Sequence, residues 1–200
     1  MRFLVDSIGL LAASIALAGC SSATPRLAGL EEVPKHLHLD GLAPVELQVD
    51  LPNFHRISNT VYRGAQPRAE GLRELNEMGV KTIVNLREIR QDTDEIESYG
   101  FAYHHLPTQP WSVDERTIIA FLKKVTDKNA QPVFVHCHHG ADRTGALCAA
   151  YRIVVDDWSK EAAIREMTLG GYGYHPIWFN LILTIESLNV ERIRAAIATG

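Results

Sequence analysis

The 200-residue chain is poor in cysteine: Cys20, Cys137 and Cys148 are all it has, which excludes a small fold stapled by a disulfide framework. It has no block of Lys and Arg and a net charge of −4, which excludes the electrostatic footprint of a nucleic-acid binder. The apolar run from Ile8 to Ala18 is too short to cross a membrane as a helix. No internal repeat is visible, so a solenoid is excluded as well. What remains is enough chain for one domain with a sizeable core.

One stretch carries the chemistry. His136-Cys137-His138-His139-Gly140-Ala141-Asp142-Arg143-Thr144-Gly145 follows an apolar β-branched run, Pro132-Val133-Phe134-Val135, and precedes a helix-forming run, Ala146 to Val155. The order predicts strand, tight loop, helix. A loop that ends in a helix N-terminus gathers backbone N–H groups without partners, and these suit an anion. Arg143 offers a planar fork of donors that fits two phosphate oxygens. Helix end, loop amides and Arg143 together favour the nucleophilic thiolate of Cys137. The expected reaction is in-line attack of Cys137 on a phosphate monoester. Charge on the equatorial oxygens is held by Arg143 and the amides of His138, His139, Gly140, Ala141 and Asp142. Water then releases phosphate from the cysteine. Thr144 is placed to donate to the thiolate, and His136 to hold the loop by hydrogen bonds.

The stretch resembles the His-Cys-x5-Arg-Ser/Thr signature of the cysteine-dependent protein tyrosine phosphatase superfamily, and is most similar to its small dual-specificity type in a bacterial branch. Val61-Tyr62-Arg63-Gly64-Ala65-Gln66-Pro67 resembles the opening segment of such domains, and Lys81-Thr82-Ile83-Val84-Asn85-Leu86-Arg87 their next core strand. The resemblance spans roughly residues 53 to 190. It implies phosphotyrosine, with or without phosphoserine and phosphothreonine, as substrate, and no metal or organic cofactor.

Other readings of the same residues stay open. A cysteine is commonly a small core hydrophobe, and Cys148, within the apolar run Ala146-Leu147-Cys148-Ala149-Ala150, reads that way. A second role for Cys148 is as a disulfide partner that protects Cys137. His136, His138 and His139 with His104 and His105 make a candidate metal cluster, but adjacent residues on a tight loop point apart. A rhodanese-type sulfur transferase also holds an anion around a cysteine, and the wording Arg-Thr-Gly disfavours it. Two other functions compete: an inositol phosphate or phosphoinositide phosphatase, and a module that binds phosphate without turnover. Few Lys and Arg lie near the loop, which offers no strong patch for a polyphosphate.

The resemblance also implies a general acid on a separate loop, here Pro107-Thr108-Gln109-Pro110-Trp111-Ser112-Val113-Asp114. Asp114 is the only carboxylate there. Ser112-Val113-Asp114-Glu115 equally reads as the cap of the following helix. Asp142 is the alternative acid, because Asp-Arg-Thr resembles the loop of myotubularin-type lipid phosphatases; its other reading is to orient Arg143. Trp111 is a candidate wall of the pocket, and His138 and His139 would bring positive potential to its mouth if protonated.

At the N-terminus a positive residue, Arg2, precedes the apolar run, so residues 1–19 read as a signal peptide, with Asp6 as an unusual acid. Leu17-Ala18-Gly19-Cys20 resembles the lipobox of bacterial lipoproteins. The resemblance implies cleavage before Cys20, lipid on Cys20 and anchorage without spanning, and Ser21 implies export to an outer membrane in a Gram-negative cell. An ordinary secretory signal cut nearby is the alternative. Residues 20–50 read as lipidated cysteine and tether, with a short strand at Val45 to Leu51, and residues 51–200 as the phosphatase domain.

Within that domain apolar β-branched runs alternate with helical patterns. Strands are expected at Phe54–Ile57, Thr60–Tyr62, Thr82–Leu86, Ala102–Leu106 and Val133–His136. Helices are expected at Ala69–Met78, Asp92–Tyr99, Asp114–Lys128, Thr144–Val155 and Lys160–Thr168, with more between Ile177 and Ile197. The alternation predicts an α/β three-layer fold: a mostly parallel sheet of four to five strands flanked by helices, with the cysteine loop at the carboxyl end of a central strand.

Overall fold

The computed structural model describes residues 50–89 and 93–199, all within one compact unit. The expected signal segment, Cys20, the tether, all but the end of the Val45–Leu51 strand, and Asp92 lie outside the described residues. Five strands form one sheet: β1 (His55–Arg56), β2 (Val61–Gly64), β3 (Thr82–Asn85), β4 (Ala102–His105) and β5 (Val133–His136). Their order is β1-β2-β5-β3-β4, with β1 antiparallel to β2 and every other pair parallel. Among the described residues seven α-helices accompany them: α1 (Ala69–Glu77), α2 (Thr93–Ser98), α3 (Glu115–Thr126), α4 (Asp142–Val154), α5 (Lys160–Leu169), α6 (Phe179–Glu186) and α7 (Val190–Ala198).

Strand alternation sorts the core into two layers. Ile83 and Phe134 face one cluster with Leu72 and Leu75 of α1 and Ile96 of α2. Val84, Val133 and Val135 face the other, with Ile118, Phe121 and Leu122 of α3, Leu147 of α4 and Met167 of α5. Both faces of the sheet are therefore covered, which is why β3 and β5 are buried at every position and read as unbroken runs. α4 is buried along nearly its whole length, and the apolar run around Cys148 is what fits a helix enclosed by other helices. Arg152, near its end, is held by both carboxylate oxygens of Glu166 at 2.8 and 3.0 Å, by Asp156 at 2.9 Å and by the Ile57 carbonyl at 2.9 Å. That group staples α4 to α5 and to the turn after β1.

Several boundaries depart from expectation, among them those of β2, observed at Val61–Gly64, and α3, observed at Glu115–Thr126. β1 keeps only two residues, because Ile57 and Ser58 donate to the Val61 carbonyl and close a tight turn. The helices expected between Ile177 and Ile197 are α6 and α7, separated at Ser187-Leu188-Asn189, where the Asn189 side chain accepts from the Arg192 amide and caps α7. α4 begins at Asp142 rather than Thr144, so Asp142 and Arg143 stand on its first turn. This last shift matters for the site.

Candidate active site

β5 is central, and its last residue, His136, sits level with Gly64 of β2 and Asn85 of β3. Cys137 therefore leaves the sheet at the carboxyl end of the middle strand, where open α/β sheets place ligands. It is 2 % exposed, at the root of the loop that runs to α4. Cys137 stands at the start of this loop, and Arg143 and Thr144 on the first turn of α4 at its end.

Successive carbonyls of the loop are drawn outward. The Gln66 amide donates to the His138 carbonyl (3.2 Å), the Asn53 side chain to that of His139 (2.8 Å), and Arg63 to that of Gly140 (2.6 Å). In a trans peptide the next N–H points the opposite way, so the amides of His139, Gly140 and Ala141 face the interior of the loop. Outward carbonyls and inward amides make a cradle for an anion. Gly140 has φ +69°, and a Cβ there would lie 2.4 Å from the Gly64 carbonyl carbon and 2.5 Å from its oxygen. Only glycine lets the loop turn this tightly against the end of β2.

Arg143 is fixed from the far side. Its Nη1 donates to the Thr108 carbonyl at 3.1 Å and more weakly to that of Leu86 at 3.4 Å, while its buried Nε has no partner among the described residues. The Thr144 hydroxyl is also buried without a partner among them. Two buried donors left unsatisfied at an anion cradle fit a bound oxyanion and a thiolate. His136 is fully buried; its Nδ1 lies 3.1 Å from the Cys137 carbonyl and its ring stacks on Phe134. Burial is the main reason its pKa falls to about 4, so the ring is neutral and serves as a hydrogen-bonding brace.

Above the loop opens a cleft of about 470 Å³, lined by Arg87, Glu88, Ile89, Gln109, Pro110, His138, His139, Asp142, Arg143, His175, Ile177 and Trp178. Asp114 is not among these residues. It caps α3, accepting from the Thr117 amide at 2.9 Å and hydroxyl at 2.8 Å, and pairs with Arg116. The Thr117 bonds hold its carboxyl below the ordinary carboxylate range, with Arg116 adding to them. Asp142 does line the cleft. Its carboxylate takes the His175 backbone N–H at 2.8 Å and lies 2.9 Å from His175 Nδ1. Trp111 stands outside the lining and packs against Trp178, which is part of it. Desolvation, then His139, Arg87 and Arg143, push His138 below its usual value and leave it less charged than the sequence alone suggests.

The other titratable candidates separate from the site. Cys148 is buried in α4, and burial raises its pKa to about 11; both it and Cys137 are free thiols. His105 Nε2 lies 2.6 Å from the Arg87 carbonyl. Among the described residues no group of three or more His, Cys, Asp or Glu side chains is arranged to hold a metal. The sequence reading missed Asn53, Arg63, Tyr172 and His175. Arg63 had a signal in Tyr-Arg-Gly, and His175 only the glycine-rich run from Gly170 to Gly173 before it.

Residues 34–173 match the family model described as DSP-PTPase phosphatase fused to NAD+ Kinase. The dual specificity protein phosphatase TpbA of Pseudomonas aeruginosa (strain UCBPP-PA14) is 34% identical over 149 residues, which cover 74% of this chain and 68% of TpbA. The crystal structure of P. aeruginosa TpbA has a TM-score of 0.67 at 33% identity, covering 74% of this chain and 91% of that one. The catalytic core of the PP-IP phosphatase SIW14 from S. cerevisiae reaches the same TM-score, 0.67, at 21% identity over 74% of this chain and 93% of its own, and shares the fold. The pinned loop, the free Cys137 and the half-satisfied Arg143 are what such a likeness requires at its centre: the chain belongs to the dual-specificity-like protein tyrosine phosphatase family, and is a phosphatase.

Proposed function

We propose that the substrate is phosphotyrosine on proteins, with phosphoserine and phosphothreonine as slower substrates, hydrolysed through a cysteinyl-phosphate. The observation that carries this is the composition of the cleft. Arg143 and the loop residues His138 and His139 line it, and Ile89, Pro110, Ile177 and Trp178 supply apolar surface around them. A phosphate held at Arg143 then carries an aryl ring against apolar walls, whereas a short alkyl ester leaves those walls unused. A TpbA variant has been crystallised in complex with pTyr, and this supports the same reading for its relative.

In the reaction Cys137 sulfur attacks phosphorus in line with the leaving oxygen. The S–P bond forms as the P–O bond breaks, and the loop amides and Arg143 hold the equatorial oxygens throughout. Water then attacks phosphorus, the S–P bond breaks, and inorganic phosphate leaves. The test is kcat/KM of residues 50–200 and of the full chain on phosphotyrosine, phosphoserine and phosphothreonine peptides and on an inositol pyrophosphate. Preference for the phosphotyrosine peptide is expected. Preference for the inositol compound would overturn the reading; among the described residues the cleft's Arg and Lys lining is Arg87 and Arg143, with Glu88 beside them.

We further propose that the chain is exported and anchored by lipid, palmitate included, on Cys20, with residues 20–50 as tether. Support comes from the sequence: Arg2, the apolar run and Leu17-Ala18-Gly19-Cys20. In a Gram-negative cell Ser21 directs it to the outer membrane facing the periplasm. Replacing Cys20→Ser should move the full chain from the membrane to the soluble fraction, and unchanged fractionation would reject the anchor.

A further inference from the structure

We propose that His175 is the proton donor to the leaving group, and that Asp142 is the positioning residue that holds it there. The inference rests on the phosphatase reading of the site and concerns a step that reading leaves without a residue. The loop that would carry an aspartate acid places Pro110 at the cleft and Trp111 outside it, and its single carboxylate, Asp114, is committed to capping α3.

His175 meets the requirements from another direction. It lines the cleft together with Arg143 and His139, and its side chain is 52% exposed, so it reaches solvent and ligand. Its backbone N–H and its Nδ1 both engage the Asp142 carboxylate, at 2.8 and 2.9 Å. A carboxylate that accepts at Nδ1 fixes the tautomer and leaves Nε2 as the ring's working nitrogen, the arrangement by which a carboxylate orients a catalytic imidazole. Asp142 is buried and accepts the His175 backbone N–H, which fixes its carboxylate beside the ring.

The position is built in. Gly171 and Gly173 take φ +85° and +77°, which lets the loop before His175 fold back on the phosphate loop. Tyr172 is buried there under the Arg63 guanidinium, 3.9 Å from its ring centre, and its carbonyl accepts from Asn53 at 2.9 Å. Arg63 and Asn53 are the same residues that pull the carbonyls of Gly140 and His139 outward. The anion cradle and the His175 loop therefore share their supports, and Asp142, on the first turn of α4, closes the connection.

The step balances. As the S–P bond forms and the P–O bond breaks, Nε2 of the imidazolium gives its proton to the leaving oxygen and His175 becomes neutral. In the second step water adds to phosphorus and gives its proton to Nε2, which restores the imidazolium as the S–P bond breaks. Cys137 thiolate and hydrogen phosphate are the products.

The experiment compares kcat/KM for p-nitrophenyl phosphate, whose leaving group needs little protonation, with phenyl phosphate, whose leaving group needs more. It uses the full chain and the variants His175→Ala, His175→Gln, Asp142→Asn and Asp114→Asn, with Tm measured for each. His175→Ala and His175→Gln should lose on the order of 10²-fold on phenyl phosphate but less than about fivefold on p-nitrophenyl phosphate. Asp142→Asn should show the same split at about tenfold, a selectivity that a merely structural role would not produce. Equal losses on both substrates, no loss on either, or the split appearing in Asp114→Asn instead would overturn the proposal. Should Asp142→Asn unfold, the two His175 variants decide. Turnover surviving in Cys137→Ser, or absent from the unmodified chain, would instead count against the phosphatase reading itself.

Discussion

The loop from His138 to Ala141 and the loop from Pro107 to Asp114 flank the same cleft and are built by opposite means. In the first, three consecutive carbonyls are each tied to a donor from another part of the chain, and a glycine is pressed against the end of β2. In the second, the fastenings are spread out: the Thr108 amide to the Leu86 carbonyl, Ser112 to Gln109, and Asn180 to the Pro110 carbonyl, with Trp111 65% exposed. The difference follows from the work each performs. Several amides holding one anion must all be aimed at once, so the backbone itself must be over-determined. The second loop lends the cleft only side-chain surface, from Gln109 and Pro110, which asks no such aim of its backbone.

The sharpest way to break the comparison is at its nucleophile. Cys137→Ser should cut p-nitrophenyl phosphate turnover by at least about 10³-fold while retaining phosphate or vanadate binding. Steady-state kinetics beside calorimetry would show whether binding and turnover separate in this way. Next comes the backbone. Gly140→Ala forces a Cβ to within 2.4 Å of Gly64 and a non-glycine residue into positive φ. Turnover should fall by about 10²-fold, because cradle donors lose their aim. A comparable change in the other loop, Trp111→Ala, should cost less than about threefold, since that side chain is exposed. Equal effects would remove the distinction between the two loops.

Arg63→Met tests the pins. It removes the donor to the Gly140 carbonyl and the partner of Tyr172, and should lower stability by roughly 2–3 kcal/mol in urea unfolding. Activity should fall with it, by about tenfold, because the same guanidinium steadies both loop segments.

Stability should also depend on pH through His136. Its folded value, about 4, lies below the ordinary 6.5, so the unfolded chain binds the extra proton between them. That contribution is complete above pH 6.5 and is lost as pH falls towards 4, by at most ~3 kcal/mol. Urea midpoints across this range should slope upward with pH and flatten in His136→Asn.

The smallest effect belongs to the second loop. Asp114→Ala should cost about 1 kcal/mol of stability as a lost cap and change kcat less than twofold or so. Its carboxyl is held below 3.8 in the folded chain, so the stabilisation is present above that value and disappears as pH falls through the lowered one.

Much of this was legible before any fold was known. The unbroken runs Thr82–Asn85 and Val133–His136 can only be strands buried on both faces, and helical spacing of Ile118, Leu122 and Val125 gave α3 its core side. Cys137 and Arg143 stand in one local strand–loop–helix segment, so their meeting needs no long-range information. The resemblance offered Asp114 as an acid and local spacing a capping box from Ser112 to Glu115 with Asp114 in the first turn; in the structure Asp114 is itself the N-cap of α3.

What stayed hidden depended on distant segments. Arg63 bonds the Gly140 carbonyl across 77 positions, Asn53 bonds that of His139 across 86, and His175 meets Asp142 across 33. Periodicity and short motifs report neighbours within a few residues, so no local pattern encodes these pairs. The sequence by itself determined the α/β layering and the strand–loop–helix segment that holds Cys137 and Arg143, because each is written in contiguous residues. Only the tertiary structure decided which carbonyls are pulled outward and that His175 joins the loop histidines at the cleft, because both depend on where the sheet order and the 170–175 loop bring remote side chains.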